Sequence, residues 1–106
     1  MDKREDIIGK VKDYKNLVQK EFPVKIDRFY LFGSYAKGDP HRDSDIDVAL
    51  IVNHLEDDYD HWNTGLILWR LRWDIDLRIE PHLIALDTDF ADMVMEIERT
   101  GIEITE

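Results

Sequence analysis

Two aspartates, Asp45 and Asp47, open the apolar segment "DIDVALIV". Residues two apart on a β-strand point to the same face, with their Cα atoms about 6.5–7 Å apart. Like charges this close oppose folding unless a cation lies between them. The pair therefore predicts a divalent-ion site, and carboxylate oxygens favour Mg²⁺ or Mn²⁺.

A glycine and a serine precede this pair at the end of another apolar segment. Gly33 and Ser34 follow "IDRFYLF", and Gly33 lies twelve residues before Asp45. Glycine allows the backbone to approach a phosphate closely, and the amides that open a helix attract anions. The Ser34 hydroxyl can donate to a phosphate oxygen, and Lys37 adds positive charge. The turn is predicted to bind phosphate next to the metal site.

A third carboxylate is expected from a neighbouring strand. The segment "DIDLRIE" (74–80) alternates like a strand, with Asp74 and Asp76 on one face. We prefer Asp76 as the third ligand because apolar residues flank it on both sides, although Asp74 differs only by register. Carboxylates grouped in this way can hold two ions about 3.5–4 Å apart, a recurring device for displacement at phosphorus.

The other acidic patterns have simpler explanations. Asp-x-Asp occurs five times in the chain, so position in the predicted elements must decide among the pairs. An EF-hand loop starting at Asp43 would need glycine and glutamate where the chain has Val48 and His54. The pair at 58/60 lies at a predicted helix start, where residues two apart diverge, and is expected on a solvated face. The pair at 87/89 flanks Thr88 at another predicted helix start, where acids favourably oppose the helix dipole.

Composition limits the class of protein. The 106 residues predict a single domain over 1–106, and the net charge of −10 opposes binding to a long nucleic acid. The absence of cysteine favours a reducing cytoplasm. We expect no membrane span and no signal peptide. A homo-oligomer is left open.

The periodicity of apolar residues predicts an α/β (α+β) fold with a small mixed β-sheet and helices packed mainly on one side. Three tryptophans, Trp62, Trp69 and Trp73, are expected in the core, with an aromatic strip for a partner as the alternative. The histidines at 41, 54, 61 and 82 show no ligand spacing and are expected at the surface or in loops. Four helices are predicted: residues 3–21, a short helix after Gly33, residues 55–73, and a last helix that Thr88 caps and Gly101 ends. The predicted strands are residues 26–32, residues 45–52, residues 74–80 up to Pro81, the segment "HLIAL" and an edge strand "IEIT".

The motif "GSYAKG…SDIDV" resembles the signature of the nucleotidyltransferase superfamily related to DNA polymerase beta, in its minimal nucleotidyltransferase branch. The resemblance covers Phe32 to Val52 and extends more weakly to Asp76. It departs from the usual pattern at Lys37, where arginine is typical. The resemblance implies a polymerase beta-like core and a metal-dependent enzyme.

The resemblance also assigns roles to the residues. Gly33 and Ser34 would hold the triphosphate, while Asp45 and Asp47 would bind two Mg²⁺ ions, with Mn²⁺ as an alternative. Asp76 would ligate the catalytic metal and help to deprotonate the attacking hydroxyl. That hydroxyl would displace pyrophosphate from ATP or another NTP.

Small members of this branch resemble the antitoxin of a pair whose toxin is a HEPN-type protein, which is nucleotidylated on a tyrosine. The chain shows no second domain for an acceptor, so we expect a protein partner of this type to receive AMP. One alternative is an antitoxin that acts by binding alone. Another is transfer to a small molecule such as an aminoglycoside.

Overall fold

The structure is a computed structural model that describes residues 4–22, 25–38, 45–54, 58–87 and 91–105. Most predicted elements are confirmed within one or two residues, while His41, Thr88 and Phe90 lie outside the described residues. In chain order, the elements are α1 (Arg4–Glu21), β1 (Arg28–Phe32), α2 (Ser34–Lys37), β2 (Ile46–Val52), α3 (Asp58–Leu71), a 3₁₀ turn (Arg72–Asp74), β3 (Ile79–Ala85), α4 (Ala91–Thr100) and β4 (Ile102–Glu103).

The four strands form one mixed sheet in the order β3-β2-β1-β4. Strand β1 runs antiparallel to both β2 and β4, whereas β2 and β3 are parallel. A parallel pair needs a crossover connection, and α3 lies in that connection. The predicted mixed sheet and the edge strand after Gly101 are therefore confirmed.

Strand β2 is covered on both faces because its side chains alternate between two apolar clusters. Ile46, Val48 and Leu50 share a cluster with the buried stripe of α1. Ala49 and Ile51 join a smaller cluster with residues of α4. Since α1, α2 and α3 all contribute to the first cluster, the helices lie mainly on one side of the sheet, as predicted.

The predicted strand over residues 74–80 is wrong. The Asp76 carboxylate accepts a hydrogen bond from the Arg78 amide at 2.8 Å, an Asx-turn that competes with strand pairing. Strand β3 begins instead at Ile79 and runs through Pro81. Proline is tolerated there because β3 lies at the edge of the sheet.

The predicted core position of the tryptophans is also wrong. Trp62 and Trp73 are 70% and 71% exposed, and Trp69 is 40% exposed. Helix α3 buries a neighbouring stripe, Thr64, Leu68 and Leu71. Two of these tryptophans, Trp62 and Trp69, line a groove of about 310 Å³ between α3 and β3, which we call the tryptophan groove. Its lining is Trp62, Gly65, Leu66, Leu68, Trp69, Pro81 and Leu83.

In the described part of the chain, none of the helices combines the length and apolar character that crossing a bilayer requires.

Candidate active site

Asp47 lies on the central strand β2, between its partners on the two neighbouring strands. It pairs with Phe32 of β1 and with Glu80 of β3. Its side chain is 24% exposed, on the sheet face that α4 covers further along the strand. Asp45 is exposed one residue before β2. The central strand therefore fixes the position of Asp47. The two predicted metal ligands, Asp45 and Asp47, both lie at the start of β2, at one end of the sheet.

Gly33 forms the turn between β1 and α2 and packs directly against the Asp47 carboxylate. Its φ angle is 76°, in the region that favours glycine. A Cβ added there would lie 3.2 Å from Cγ of Asp47 and closer still to Oδ2. The structure thus brings together the predicted phosphate-binding turn and the predicted metal-binding strand.

Ser34 and Lys37 are the first and last residues of the single turn of helix α2. Ser34 is half-buried beside Gly33, whereas Lys37 is exposed. The Arg4 guanidinium of α1 donates to the Ala36 carbonyl, which anchors α2 against the first helix. The two predicted phosphate contacts therefore differ: Ser34 follows directly after Gly33, which meets Asp47, whereas Lys37 is exposed at the other end of α2.

Glu80, which the sequence did not single out, supplies a third carboxylate at this site. It stands opposite Asp47 in the parallel register. Burial raises the pKa of Glu80 above its ordinary value, and the charge of Asp45 and the hydrogen bond with Asp47 raise it further. Carboxylates grouped in this way repel one another, and a bound divalent cation would offset that repulsion.

His82 completes the group on the same face of β3. Its Nε2 lies 3.3 Å from Oδ1 of Asp47. One ligand atom each from Asp47, Glu80 and His82 lie within 4.8 Å of one another. These donors fit a divalent cation, because two carboxylates and an imidazole offer oxygen and nitrogen ligands close to one another.

Asp76, the predicted third ligand, belongs to a different cluster. Its carboxylate is bound by Lys10 of α1 at 2.8 Å and by the Arg78 guanidinium at 2.8 Å, and its side chain is only 10% exposed. Hydrogen bonds from Arg78, and then from Lys10, hold the pKa of Asp76 well below its ordinary value of 3.8. Asp74, the alternative, lies exposed in the 3₁₀ turn. The structure places neither residue in the group formed by Asp47, Glu80 and His82.

The sequence carried a weak signal for Glu80 and His82. Both lie in "IEPH", where the glutamate and the histidine alternate around Pro81. The strand predicted from the sequence ends at Pro81, so these two residues fall at the junction of two predicted strands. An edge strand that passes through the proline would have placed both on the Asp47 face.

Known proteins share this arrangement of elements. Residues 12–106 match the family described as "Polymerase beta, Nucleotidyltransferase". MJ0141 of Methanocaldococcus jannaschii, provisionally named a protein adenylyltransferase, is 32% identical over 101 residues, which cover 93% of this chain and 99% of the relative.

Two solved structures have the same fold. A toxin-antitoxin complex with AMP-PNP contains a chain with a TM-score of 0.63 and 23% identity, over 89% of this chain and 72% of that one. A tri-AMPylated HEPN toxin of Shewanella oneidensis in complex with its MNT antitoxin gives a TM-score of 0.58 and 20% identity, over 97% of this chain and 72% of that one. From the match over residues 12–106 and the carboxylates grouped beside Gly33, we conclude that the chain belongs to the polymerase beta nucleotidyltransferase family.

Proposed function

We propose that the chain is a protein adenylyltransferase that moves AMP from ATP onto a hydroxyl of a HEPN-type toxin and thereby acts as its antitoxin. The observation that carries this proposal is the contact of the Gly33 turn with Asp47, which faces Glu80 on the next strand. That contact puts a turn open to phosphate directly beside carboxylates that can hold metal ions.

Three carboxylates, Asp45, Asp47 and Glu80, would hold two Mg²⁺ ions, or Mn²⁺ ions in their place. When bound, these ions would neutralise the triphosphate and lower the pKa of the acceptor hydroxyl. Burial, and after it the neighbouring Asp45 and Asp47, raise the pKa of Glu80; a bound cation would offset the repulsion among these three carboxylates. We assign to Glu80 the role of third carboxylate that was predicted for Asp76.

The remaining residues orient the nucleotide. The Gly33 turn and the Ser34 hydroxyl would contact the β- and γ-phosphates, while exposed Lys37 would add charge at their outer side. In the reaction, the acceptor oxygen forms a bond to the α-phosphorus while the bond from that phosphorus to the bridging oxygen breaks. Pyrophosphate leaves with the electron pair of that bond, and the hydroxyl proton passes to a neighbouring carboxylate, a role that we assign to Glu80.

A protein acceptor is supported by the relatives and by the exposed tryptophans. The toxin in the Shewanella oneidensis complex is AMPylated, and MJ0141 carries a protein adenylyltransferase name. Exposed aromatic residues such as Trp62 and Trp73 are enriched at protein interfaces. The absence of cysteine is compatible with the cytoplasm, where we place the reaction.

One assay tests the proposed function against its alternatives. The chain is incubated with Mg²⁺, ATP labelled on the α-phosphate, and the product of the adjacent reading frame. We expect label on that partner, lost in Asp47→Asn and retained in the control Asp92→Asn, whose exposed carboxylate lies on α4.

Each other outcome identifies a different function. A stable complex without label would show an antitoxin that acts by binding. Label found only on an added aminoglycoside would show a small-molecule transferase. Label that persists in Asp47→Asn would contradict the assignment of the metal site.

A further inference from the structure

We propose that His82 is a direct ligand of one metal ion in this site and shifts its preference from Mg²⁺ toward divalent transition ions of the first row, Mn²⁺ to Zn²⁺. The inference rests on the proposed function because it concerns the same metal site. It adds a nitrogen donor to a set of ligands otherwise made of oxygen.

The position of His82 follows from the parallel register of β2 and β3. His82 pairs with Ala49, and Glu80 pairs with Asp47 two residues earlier. Side chains two apart on a strand share a face, so the imidazole and both carboxylates project from the same side of the sheet.

The imidazole packs against Phe32 and points its Nε2 toward Asp47. The Phe32 ring meets it edge to face, with centroids 5.1 Å apart and an interplanar angle of 64°. Phe32 is the residue that pairs with Asp47 on the other side of β2. The side chain of His82 is 35% exposed, which leaves room for an ion and its waters to reach it.

The distance between His82 and Asp47 suits shared coordination of a cation. The 3.3 Å from Nε2 to Oδ1 is long for a hydrogen bond but close to the roughly 3 Å between adjacent ligands on a six-coordinate ion. With Glu80, these residues would supply three of the donors that such an ion needs.

The chemistry of the donors then determines the preferred ion. Mg²⁺ favours oxygen ligands and parts reluctantly with its waters. Imidazole nitrogen binds first-row transition ions more strongly, and affinity rises from Mn²⁺ through Co²⁺ toward the end of the series. A site with two carboxylates and one imidazole should therefore bind Co²⁺ much more tightly than Mg²⁺.

The test measures metal binding directly, without nucleotide or partner. Co²⁺ is titrated into the whole chain and followed by calorimetry and by its visible absorption, which responds to nitrogen ligands; Mg²⁺ is measured by competition. For His82→Gln we expect Co²⁺ affinity to fall about tenfold or more, with loss of the nitrogen-dependent absorption change, and Mg²⁺ affinity to change by about twofold at most.

Two further variants make the result specific. His54→Gln alters a histidine that contacts Asp87, away from the site, and should bind both ions like the unaltered chain. His82→Ala removes all contact with Asp47, whereas His82→Gln keeps a group that can donate to it. Loss of Co²⁺ affinity in both variants supports direct ligation by the imidazole.

The contrary outcomes separate the inference from the proposed function. Co²⁺ binding by His82→Gln that equals that of the unaltered chain would overturn the ligand role, even if Asp47→Asn binds no ion. Co²⁺ binding that survives in Asp47→Asn would instead overturn the metal site itself and, with it, the proposed function.

Discussion

Two charged clusters lie near the start of β3, and their carboxylates have opposite electrostatic environments. Asp76 is held between Lys10 and Arg78, and their hydrogen bonds lower its pKa. Glu80 stands four residues later beside Asp47, and burial and neighbouring acids raise its pKa. The negative charge of Asp76 is neutralised by cations of the protein itself, whereas the charges around Glu80 would be neutralised by the metal ions that we propose to bind there.

This difference distinguishes a structural carboxylate from a functional one. A surface or partly buried ion pair such as Lys10–Asp76 is satisfied within the chain and helps to join α1 to the segment before β3. Carboxylates that crowd one another reduce stability, and they persist where binding needs them. The groups around each carboxylate, rather than its residue type, distinguish the two clusters.

The different roles of the two acids are tested most directly by neutralising one acid from each cluster. We expect Glu80→Gln to lower AMP transfer by about 10²–10³-fold, because it removes both a metal ligand and the proton acceptor. Asp76→Asn should change the transfer rate by only a few fold, since its carboxylate faces Lys10 and Arg78. Steady-state rates of labelled AMP transfer provide the measurement, and equal losses in the two variants would erase the distinction.

A smaller loss is expected when the turn is altered instead of the acids. Gly33→Ala should reduce transfer by about 10²-fold, because the new methyl group meets the Asp47 carboxylate and the residue must keep a positive φ angle. Gly9→Ala is the matched control, since a Cβ at that position of α1 meets nothing within 4 Å. Rates and melting temperatures of both variants separate a lost site from a lost fold.

The smallest effect concerns stability and its dependence on pH. The folded pKa of Asp76 lies below its unfolded value, so its stabilisation is fully present above about pH 4 and is lost as the pH falls through the folded value. Asp76→Asn should therefore be less stable by about 1–2 kcal/mol at pH 7, with the difference shrinking below pH 4. Urea unfolding between pH 7 and pH 3 measures this.

The matched control for that series is Asp74→Asn, an exposed acid two residues away. It should stay within about 0.5 kcal/mol of the unaltered chain at every pH. A difference between Asp76→Asn and the unaltered chain that grows toward low pH would contradict the assigned ion pairs.

The local part of the site could be predicted from the sequence. Asp45, Asp47 and Gly33 lie in one continuous segment whose strand, turn and spacing follow from the residue types. The register between β2 and β3 could not be predicted in the same way, because it is set by packing between segments more than thirty residues apart. Pro81 added to this difficulty, since it resembles a strand end until the edge position of β3 is known.

The alternating pattern of "DIDLRIE" led to the wrong strand prediction over residues 74–80 for a related reason. The pattern fits a half-buried strand, but Asp76 caps its own turn through the Arg78 amide. The tryptophans of α3 show the same limit, because their spacing fits a helix face without telling which face meets the sheet.

The strand order β3-β2-β1-β4 gives the two halves of the site different freedom to move. Asp47 belongs to a strand hydrogen-bonded on both sides, whereas Glu80 and His82 belong to a strand with one free edge. Edge strands open locally at lower free energy than central ones. Amide protons of β3 should therefore exchange with solvent faster than those of β2. Glu80 and His82 can then shift toward or away from Asp47, while Asp47 itself stays in place.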